Sequence, residues 1–114
     1  MTRRYLEIVT ADVDSTCALY ESLHNVSFGA RDASLGQARV GQRSNGTLIG
    51  VRSPLADHEK PTMRVYLAVD DIEHAAKVAE KAGAMIAYPP TKQGERGTFS
   101  IFIKDGVEHG LWQP

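Results

Sequence analysis

The chain ends in DGVEHGLWQP, which places a carboxylate and an imidazole side by side at Glu108 and His109. These are the side chains that bind divalent metal ions and that exchange protons at neutral pH. If the segment is a strand, successive side chains point to opposite faces, so Glu108, Gly110 and Trp112 share one face and His109 lies on the other. A change of one residue in register would exchange the two faces.

Few other residues are suited to covalent or metal chemistry. Cys17 is the single cysteine, which excludes an internal disulfide and a cysteine-rich zinc site, and its helical spacing favours a buried structural thiol. His24 falls near a helix end, where a cation is mildly favoured, and His58 and His74 fall in a charged linker and in a first helical turn, where we expect solvent. The sequence contains no Ser-His-Asp order, phosphate-binding loop or dinucleotide fingerprint.

Length and composition are those of one globular domain. The chain has 114 residues, of which 42% are hydrophobic and 24% charged, so it can bury a core without a disulfide or structural metal. A net charge of −1 favours neither nucleic acid nor an anionic membrane as a partner. No apolar run has the length of a membrane span or a signal sequence, so we expect a cytoplasmic protein.

The first half of the chain predicts one strand, one helix and three further strands. Asp12 is the predicted N-cap of the helix, and Asn45-Gly46 is the strongest hairpin signal. The predicted elements are a strand at 3–10, a helix from Asp12 to His24-Asn25, and strands at about 26–30, 36–43 and 46–53.

The second half repeats this order after a polar linker at 54–61 that has a proline at each end. Asp70 or Asp71 is expected to cap the second helix, and Gly83 to end it. The predicted elements are a strand at 62–69, that helix, and strands at about 85–88, 97–104 and 108–113, with Asp105-Gly106 as a turn. The segment KQGERG at 92–97 is a candidate mobile loop.

The two halves match each other at a fixed offset. Asp12 falls on Asp71, and SNGTLIGVRSP falls on KDGVEHGLWQP with the turn, the glycine and the proline aligned. We therefore predict an α+β fold of two tandem βαβββ modules, at about 1–53 and 62–114, within a single domain. Together the modules are expected to form a curved eight-stranded mixed sheet, with helices on the outer face and a cleft inside.

This arrangement resembles the vicinal oxygen chelate superfamily, which includes glyoxalase I, extradiol dioxygenases and bleomycin-resistance proteins. The resemblance covers the whole chain and rests on EIVTAD at 7–12, LAVDD at 67–71 and DGVEHGLWQ at 105–113. The last motif, with EIVTAD, is most similar to a glyoxalase-like branch. None of these motifs is specific for a reaction.

The resemblance implies four metal-ligand positions, which in this chain are Tyr5, Gly50, Arg64 and Gly110. Glycine offers no side-chain donor, arginine carries a positive charge and no lone pair, and tyrosine would have to lose a proton with a pKa of about 10. We therefore expect no metal ion and no other cofactor.

The resemblance also implies which residues face the cleft. The expected ligand-binding residues are Tyr5, Glu7, Leu48, Arg52, Arg64, Tyr66, Glu108 and Trp112. The glutamates could pair with the arginines, or a ligand carboxylate or phosphate could bind the arginines instead. His109 would then pack under a helix, away from the cleft.

Three functions remain open from the sequence. The first is a metal-free, glyoxalase-like protein that binds a small organic molecule, with an anionic aromatic compound as one option. The second is a metal-independent isomerase or hydrolase with Glu7 or Glu108 as general base and Arg64 holding an anion. The third is a structural dimer module without a ligand. In each case we expect a homodimer, because open curved sheets expose edges and an apolar flank.

Overall fold

The computed structural model describes residues 4–114, which contain seven strands and two α-helices. The described residues divide into two compact units, a first unit at 4–63 and a second unit at 64–114. The α-helices are α1 (Val13–His24) and α2 (Ile72–Lys81). The strands are β1 (Arg4–Val9), β2 (Arg39–Gln42), β3 (Leu48–Arg52), β4 (Thr62–Ala68), β5 (Met85–Lys92), β6 (Thr98–Lys104) and β7 (Val107–Gln113). The predicted α+β class is confirmed.

Helix α1 begins and ends where its capping residues predict. The Asp12 side chain accepts a hydrogen bond from the backbone N–H of Ser15 at 3.1 Å, which satisfies one of the unpaired N–H groups of the first turn. Asn25 ends the helix in the left-handed conformation, with φ of 50°. The buried face of α1 carries Val13 and Cys17, which pack in one core cluster with apolar residues of β1 and β3.

Helix α2 is attached to the end of β7 as well as to its own cap. Asp71 accepts from the backbone N–H of His74 at 3.1 Å, so Asp71 rather than Asp70 is the N-cap. The Gln113 side chain accepts from the backbone N–H of Ile72 at 2.9 Å. A second unpaired N–H group of the first turn is thereby satisfied by the last strand.

Each unit pairs its first strand in parallel with its last strand. In the first unit the order is β2-β3-β1, with β1 parallel and β2 antiparallel to β3. In the second unit the order is β4-β7-β6-β5, with β7 parallel to β4 and antiparallel to β6. The second unit is thus a complete βαβββ module, as the sequence predicts.

The prediction of eight strands is wrong, because residues 26–30 form no strand. This segment makes a single bridge from Phe28 to Gly41. Side chains supply hydrogen bonds that strand pairing would otherwise make to this segment. Glu21 accepts from Phe28 N at 3.0 Å, and the Arg39 guanidinium donates to the carbonyls of Gly29 at 2.8 Å and Phe28 at 3.3 Å. The first unit therefore has three strands.

The hairpin between β5 and β6 is held by several hydrogen bonds. Residues 92–97, predicted as a candidate mobile loop, contain a short 3₁₀ helix at Gly94–Arg96. Gln93 N donates to Gly97 O at 2.7 Å, and the Trp112 indole donates to Arg96 O at 2.7 Å. The buried Trp112 thus anchors this hairpin to the second unit.

Neither α-helix within residues 4–114 is long and apolar enough to span a bilayer.

Candidate functional site

Arg52 lies at the end of β3 and is surrounded by acceptors. Its side chain is only 9% exposed, and its Nε donates to Glu7 at 2.9 Å. Its two terminal nitrogens donate to the two oxygens of Glu59 at 2.8 and 2.7 Å, and Nη1 also donates to Ser53 O at 3.2 Å. This is a full two-pronged arginine–carboxylate pair with a second carboxylate on the third nitrogen. Bonding to Glu59 raises the pKa of Arg52 above its ordinary value, against the opposing effect of burial.

Glu59 turns the predicted linker at 54–61 into a closed loop. Its carboxylate accepts from the backbone N–H of Leu55 at 2.7 Å, and its own N–H donates to Ala56 O at 3.0 Å. Glu59 was not among the predicted site residues. Apart from its charge, the sequence carries no signal that this glutamate folds back onto Arg52.

Arg64, on β4, contacts Glu108 and Tyr66 at longer distances. Its Nη2 lies 3.2 and 3.4 Å from the two oxygens of Glu108, and Nη1 lies 3.4 Å from the hydroxyl of Tyr66. The Arg64 side chain is 10% exposed, whereas the Glu108 side chain is 44% exposed. Both arginines thus contact glutamates of their own unit, which answers one question that the sequence left open.

Aromatic rings continue the face on which Arg64 and Tyr66 lie. The Tyr66 ring is 6.3 Å from that of Phe99, centre to centre, and the Phe99 ring is 5.2 Å from that of Tyr88. Tyr66 is buried, while Tyr88 is 51% exposed at the outer end of the row. Phe99 and Tyr88 were not predicted; alternation along the strand at 97–104 was the signal that could have found Phe99. Trp112, predicted to bind ligand, is buried and holds the hairpin.

The remaining predicted residues lie in the first unit. Tyr5 and Leu48 are register partners on β1 and β3, and Glu7 pairs with Gly50 two residues further along. The predicted set therefore divides by unit into Tyr5, Glu7, Leu48 and Arg52 on one side and Arg64, Tyr66, Glu108 and Trp112 on the other. That both sets line one cleft stays a prediction.

The four positions at which the resemblance implies a metal do not fit one. A Cβ atom built on Gly50 would lie 2.6 Å from Cζ of Tyr5, and one built on Gly110 would lie 2.6 Å from Cγ of Tyr66. The tyrosine rings therefore occupy the space of any ligand side chain at the two glycines, and Arg64 is a cation. Within residues 4–114, no three His, Cys, Asp or Glu side chains are grouped to hold an ion.

His109 lies on the opposite face from Glu108, as predicted, but it does not pack under a helix. It is exposed, and its ring stacks on that of Phe102 with centres 4.8 Å apart and planes 6° from parallel. Helix α2 packs against β5, β6 and β7, yet His109 stays exposed. The expectation of a partly buried histidine is therefore wrong.

Comparison with known proteins identifies the class of fold. No protein-family model matches the chain, and no curated protein matches it. Among solved structures, methylmalonyl-CoA epimerase from Mycobacterium tuberculosis has a TM-score of 0.76 at 15% identity, over 96% of this chain and 85% of that one. A hypothetical protein of Bacillus halodurans has a TM-score of 0.75 at 12% identity, over 96% and 91% of the two chains.

A methylmalonyl-CoA epimerase variant from Streptomyces coelicolor, in complex with 2-nitronate-propionyl-CoA, gives a TM-score of 0.67 at 16% identity, over 96% of this chain and 94% of that one. Methylmalonyl-CoA epimerase is a member of the vicinal oxygen chelate superfamily. The fold that the sequence resemblance implies is therefore confirmed. At these identities the likeness concerns the fold alone.

Proposed function

We propose that this chain is a metal-free binding protein of the vicinal oxygen chelate fold, and that it binds a small organic anion with an aromatic or apolar body. The observation that carries the proposal is the face formed by Arg64 and the row of rings beside it. A guanidinium at one end of an apolar wall binds a carboxylate, while the wall covers the rest of the molecule.

The anion position is assigned to Arg64 rather than to Arg52. Arg52 already has short bonds to Glu7 and to both oxygens of Glu59, so all three of its nitrogens donate to acceptors within the unit. Arg64 contacts Glu108 at 3.2 and 3.4 Å, which are longer distances than those of Arg52, and its Nη1 lies 3.4 Å from the hydroxyl of Tyr66, at one end of the row of rings.

Binding is favoured over catalysis by the surroundings of the two candidate bases. Glu7 contacts Arg52 at 2.9 Å and Glu108 contacts Arg64 at 3.2 Å. Each candidate base is thus already engaged by an arginine of its own unit, rather than directed at a position where a substrate proton could lie. The metal-independent isomerase or hydrolase therefore remains the second candidate, and a module without a ligand the third.

Thermal unfolding in the presence of small ligands tests the proposal. The probes are trans-cinnamate, its neutral amide, and propionyl-CoA, the last because the epimerase complexes hold acyl-CoA compounds. Cinnamate at a hundred times its Kd is expected to stabilise the protein by about 2.7 kcal/mol, and the amide is expected to have little effect.

Two variants make this test specific to the site. Arg64→Gln is expected to remove the response to cinnamate, while Arg43→Gln, an exposed arginine in the turn before β3, is expected to retain it. Stabilisation by none of the probes would favour the module without a ligand. A probe consumed in proportion to the enzyme concentration, with the rate lost in Glu7→Gln or Glu108→Gln, would favour the second candidate.

A further inference from the structure

We infer that Tyr88 determines the specificity of the proposed site, and that its ring selects a ligand with a planar aromatic body over one with a saturated body of the same size. This inference rests on the proposed function and narrows its ligand class from aromatic or apolar bodies to aromatic ones. The feature that carries it is the course of strand β5, not the contacts of Arg64.

Strand β5 contains two bulges, and Tyr88 lies between them. Ile86 is the register partner of Phe102, so an uninterrupted ladder would place Tyr88 opposite Ser100. The observed partner of Tyr88 is Ile101, because the strand has one extra residue before Tyr88, and a second register shift follows it. Paired residues of an antiparallel ladder share a face. The first bulge therefore moves the Tyr88 side chain from the face of Ser100 to the face of Ile101.

The face that Tyr88 thereby reaches is the face of the row of rings. Ile101 on β6 and Tyr66 on β4 are both register partners of Gly110, so the two share a face of the sheet. Phe99 lies two residues before Ile101 on β6 and shares that face as well. The ring centres of Tyr88 and Phe99 are 5.2 Å apart, with planes inclined by 34°. Without the first bulge, the row would end at Phe99.

A buried hydroxyl holds the backbone of β5 at Tyr88. Ser100 is 0% exposed, and its Oγ donates to the carbonyl of Tyr88 at 2.7 Å. Because a buried hydroxyl is costly without an acceptor, this bond fixes the position of the two strands at Tyr88. A tyrosine that only met solvent would need neither a bulge nor a buried serine. Bulges that re-aim a side chain are typical of the surroundings of functional sites, which favours a role for the Tyr88 ring.

The exposure of Tyr88 suits it to contact with a ligand. Tyr88 is 51% exposed at the outer end of the row, so the ring of a ligand can reach it. Two aromatic rings attract each other through their charge distributions in addition to the burial of apolar area. A saturated ring of the same size gains only the burial. An aromatic body beside Tyr88 and Phe99 therefore binds more tightly than a saturated one.

The test compares trans-cinnamate with trans-3-cyclohexylacrylate, which has the same carboxylate and linking carbons but a saturated ring. Titration calorimetry gives the Kd of each acid. We expect wild type to bind cinnamate about three- to tenfold more tightly than the cyclohexyl acid. Tyr88→Leu should bind the two acids about equally, whereas Tyr88→Phe, which keeps the ring, should keep the preference. Tyr20→Leu, the same change on α1 of the first unit, is the matched control and should also keep it.

Ser100→Ala tests the positioning role of the buried hydroxyl. Loss of the bond to the Tyr88 carbonyl is expected to reduce the preference for cinnamate, while the Kd of the cyclohexyl acid stays that of wild type. A merely structural role of Ser100 would lower the Tm and leave the ratio of the two Kd values unchanged. Because Tyr88→Leu changes an exposed side chain, it tests the selectivity even if Ser100→Ala does not fold.

The outcomes separate this inference from the proposed function. Equal affinity of wild type for both acids overturns the selectivity and leaves the proposed function standing. A preference for cinnamate that persists in Tyr88→Leu shows that another residue selects the ring, and this also overturns the inference. A preference lost in Tyr88→Leu and kept in Tyr88→Phe and Tyr20→Leu supports it. Binding of neither acid to wild type overturns the proposed function and the inference together.

Discussion

Arg52 and Arg64 show how one residue type serves two purposes in the same chain. Arg52 is saturated by acceptors of its own unit and ties Glu7 of β1 to Glu59 of the following loop. Arg64 is nearly as buried, but Glu108, which it contacts, has a side chain that is 44% exposed. Because Glu7 and Glu59 are more buried than Glu108, we expect substitution of Arg52 and substitution of Arg64 to have different effects on stability.

Substitution of Arg52 should destabilise the fold. Arg52→Gln leaves two largely buried carboxylates close together, and we expect the free energy of unfolding to fall by about 3 kcal/mol, the lower end for a broken buried pair. Arg64→Gln is the control, with a smaller expected loss because Glu108 remains hydrated. Urea unfolding of both variants gives the two values, and a loss for Arg64→Gln as large as that for Arg52→Gln would contradict this assignment.

Cys17 should be chemically silent in the folded protein. It is fully buried on α1, and burial raises the pKa of its thiol above the ordinary value. Because the thiolate is the reactive form and the thiol is inaccessible, we expect a thiol reagent at pH 8 to label native protein at least about a hundredfold more slowly than protein in denaturant. The raised pKa also means that this thiol's contribution to stability is complete below its unfolded pKa and is lost as the pH rises towards its folded pKa. Rapid labelling under native conditions would show that α1 opens.

At the scale of elements, each of the two parallel strand pairs contains a tyrosine whose ring covers a glycine. In the first unit the Tyr5 ring lies over Gly50, and in the second the Tyr66 ring lies over Gly110. An aromatic ring laid across a glycine fills the gap that the missing side chain leaves in the sheet. The two pairs differ in one respect: the backbone carbonyl of Val65 also lies 2.8 Å from the position of a Cβ at Gly110.

This difference gives a prediction for double variants. Gly50→Ala should destabilise the protein by about 1–3 kcal/mol through overpacking, and in a Tyr5→Ala background the same change should cost little. Gly110→Ala should remain destabilising in a Tyr66→Ala background, because the Val65 carbonyl cannot be removed by a side-chain change. Denaturant unfolding of the two double-mutant cycles measures both couplings; additivity in the Tyr5/Gly50 cycle would contradict the proposed contact.

The same strand pairs predict the metal content of the purified protein. With tyrosine rings over both glycines and a cation at Arg64, we expect far less than one zinc, nickel, iron or manganese ion per chain. Elemental analysis after dialysis measures this. About one tightly held ion per chain would mean that residues other than these four bind it.

Local signals explain which elements could be predicted from the sequence. The helix caps Asp12 and Asp71 act within three residues, and the turn at Asp105-Gly106 needs only two residues with positive φ, observed at 53° and 80°. The strand predicted at 26–30 is wrong because backbone groups of this segment bond to the side chains of Glu21 and Arg39, 7 and 11 residues away from Phe28, which no local pattern reveals.

The same reasoning applies to the site. Alternation along the predicted strands put Glu7, Arg52, Arg64 and Glu108 on the faces expected to line the cleft, because strand parity is local. It did not give which glutamate contacts which arginine; in the structure Glu7 contacts Arg52 and Glu108 contacts Arg64. It did not give the role of Glu59, which depends on how a loop returns to the sheet. The exposure of His109 was missed for a related reason, since it depends on how far α2 extends over β7.

At the scale of the whole molecule, the homodimer stays a prediction, and strand β4 offers a surface for it. Val65 and Leu67 point away from the Arg64 face and are 47% and 49% exposed. We expect light scattering at micromolar concentration to give twice the chain mass of 12.5 kDa, and Leu67→Glu to give the monomer. Val78→Glu, an equally exposed apolar position on α2, is the control and should not change the mass. A monomeric wild type would refute the homodimer, and a dimeric Leu67→Glu would place it elsewhere.

The tyrosine–glycine pairs also impose an order on any sequence change that would turn this chain into a metal-binding one. A ligand side chain at position 50 collides with the Tyr5 ring, so the tyrosine must be replaced before the glycine. At position 110 the Val65 carbonyl adds a backbone obstacle, so even that order does not suffice without a shift of β4. If the glycine is replaced before the tyrosine, the intermediate protein is destabilised, and selection for stability would remove it. A library that seeks metal-dependent activity on this scaffold should therefore vary Tyr5 first, and positions 50 and 64 only in the variants that fold.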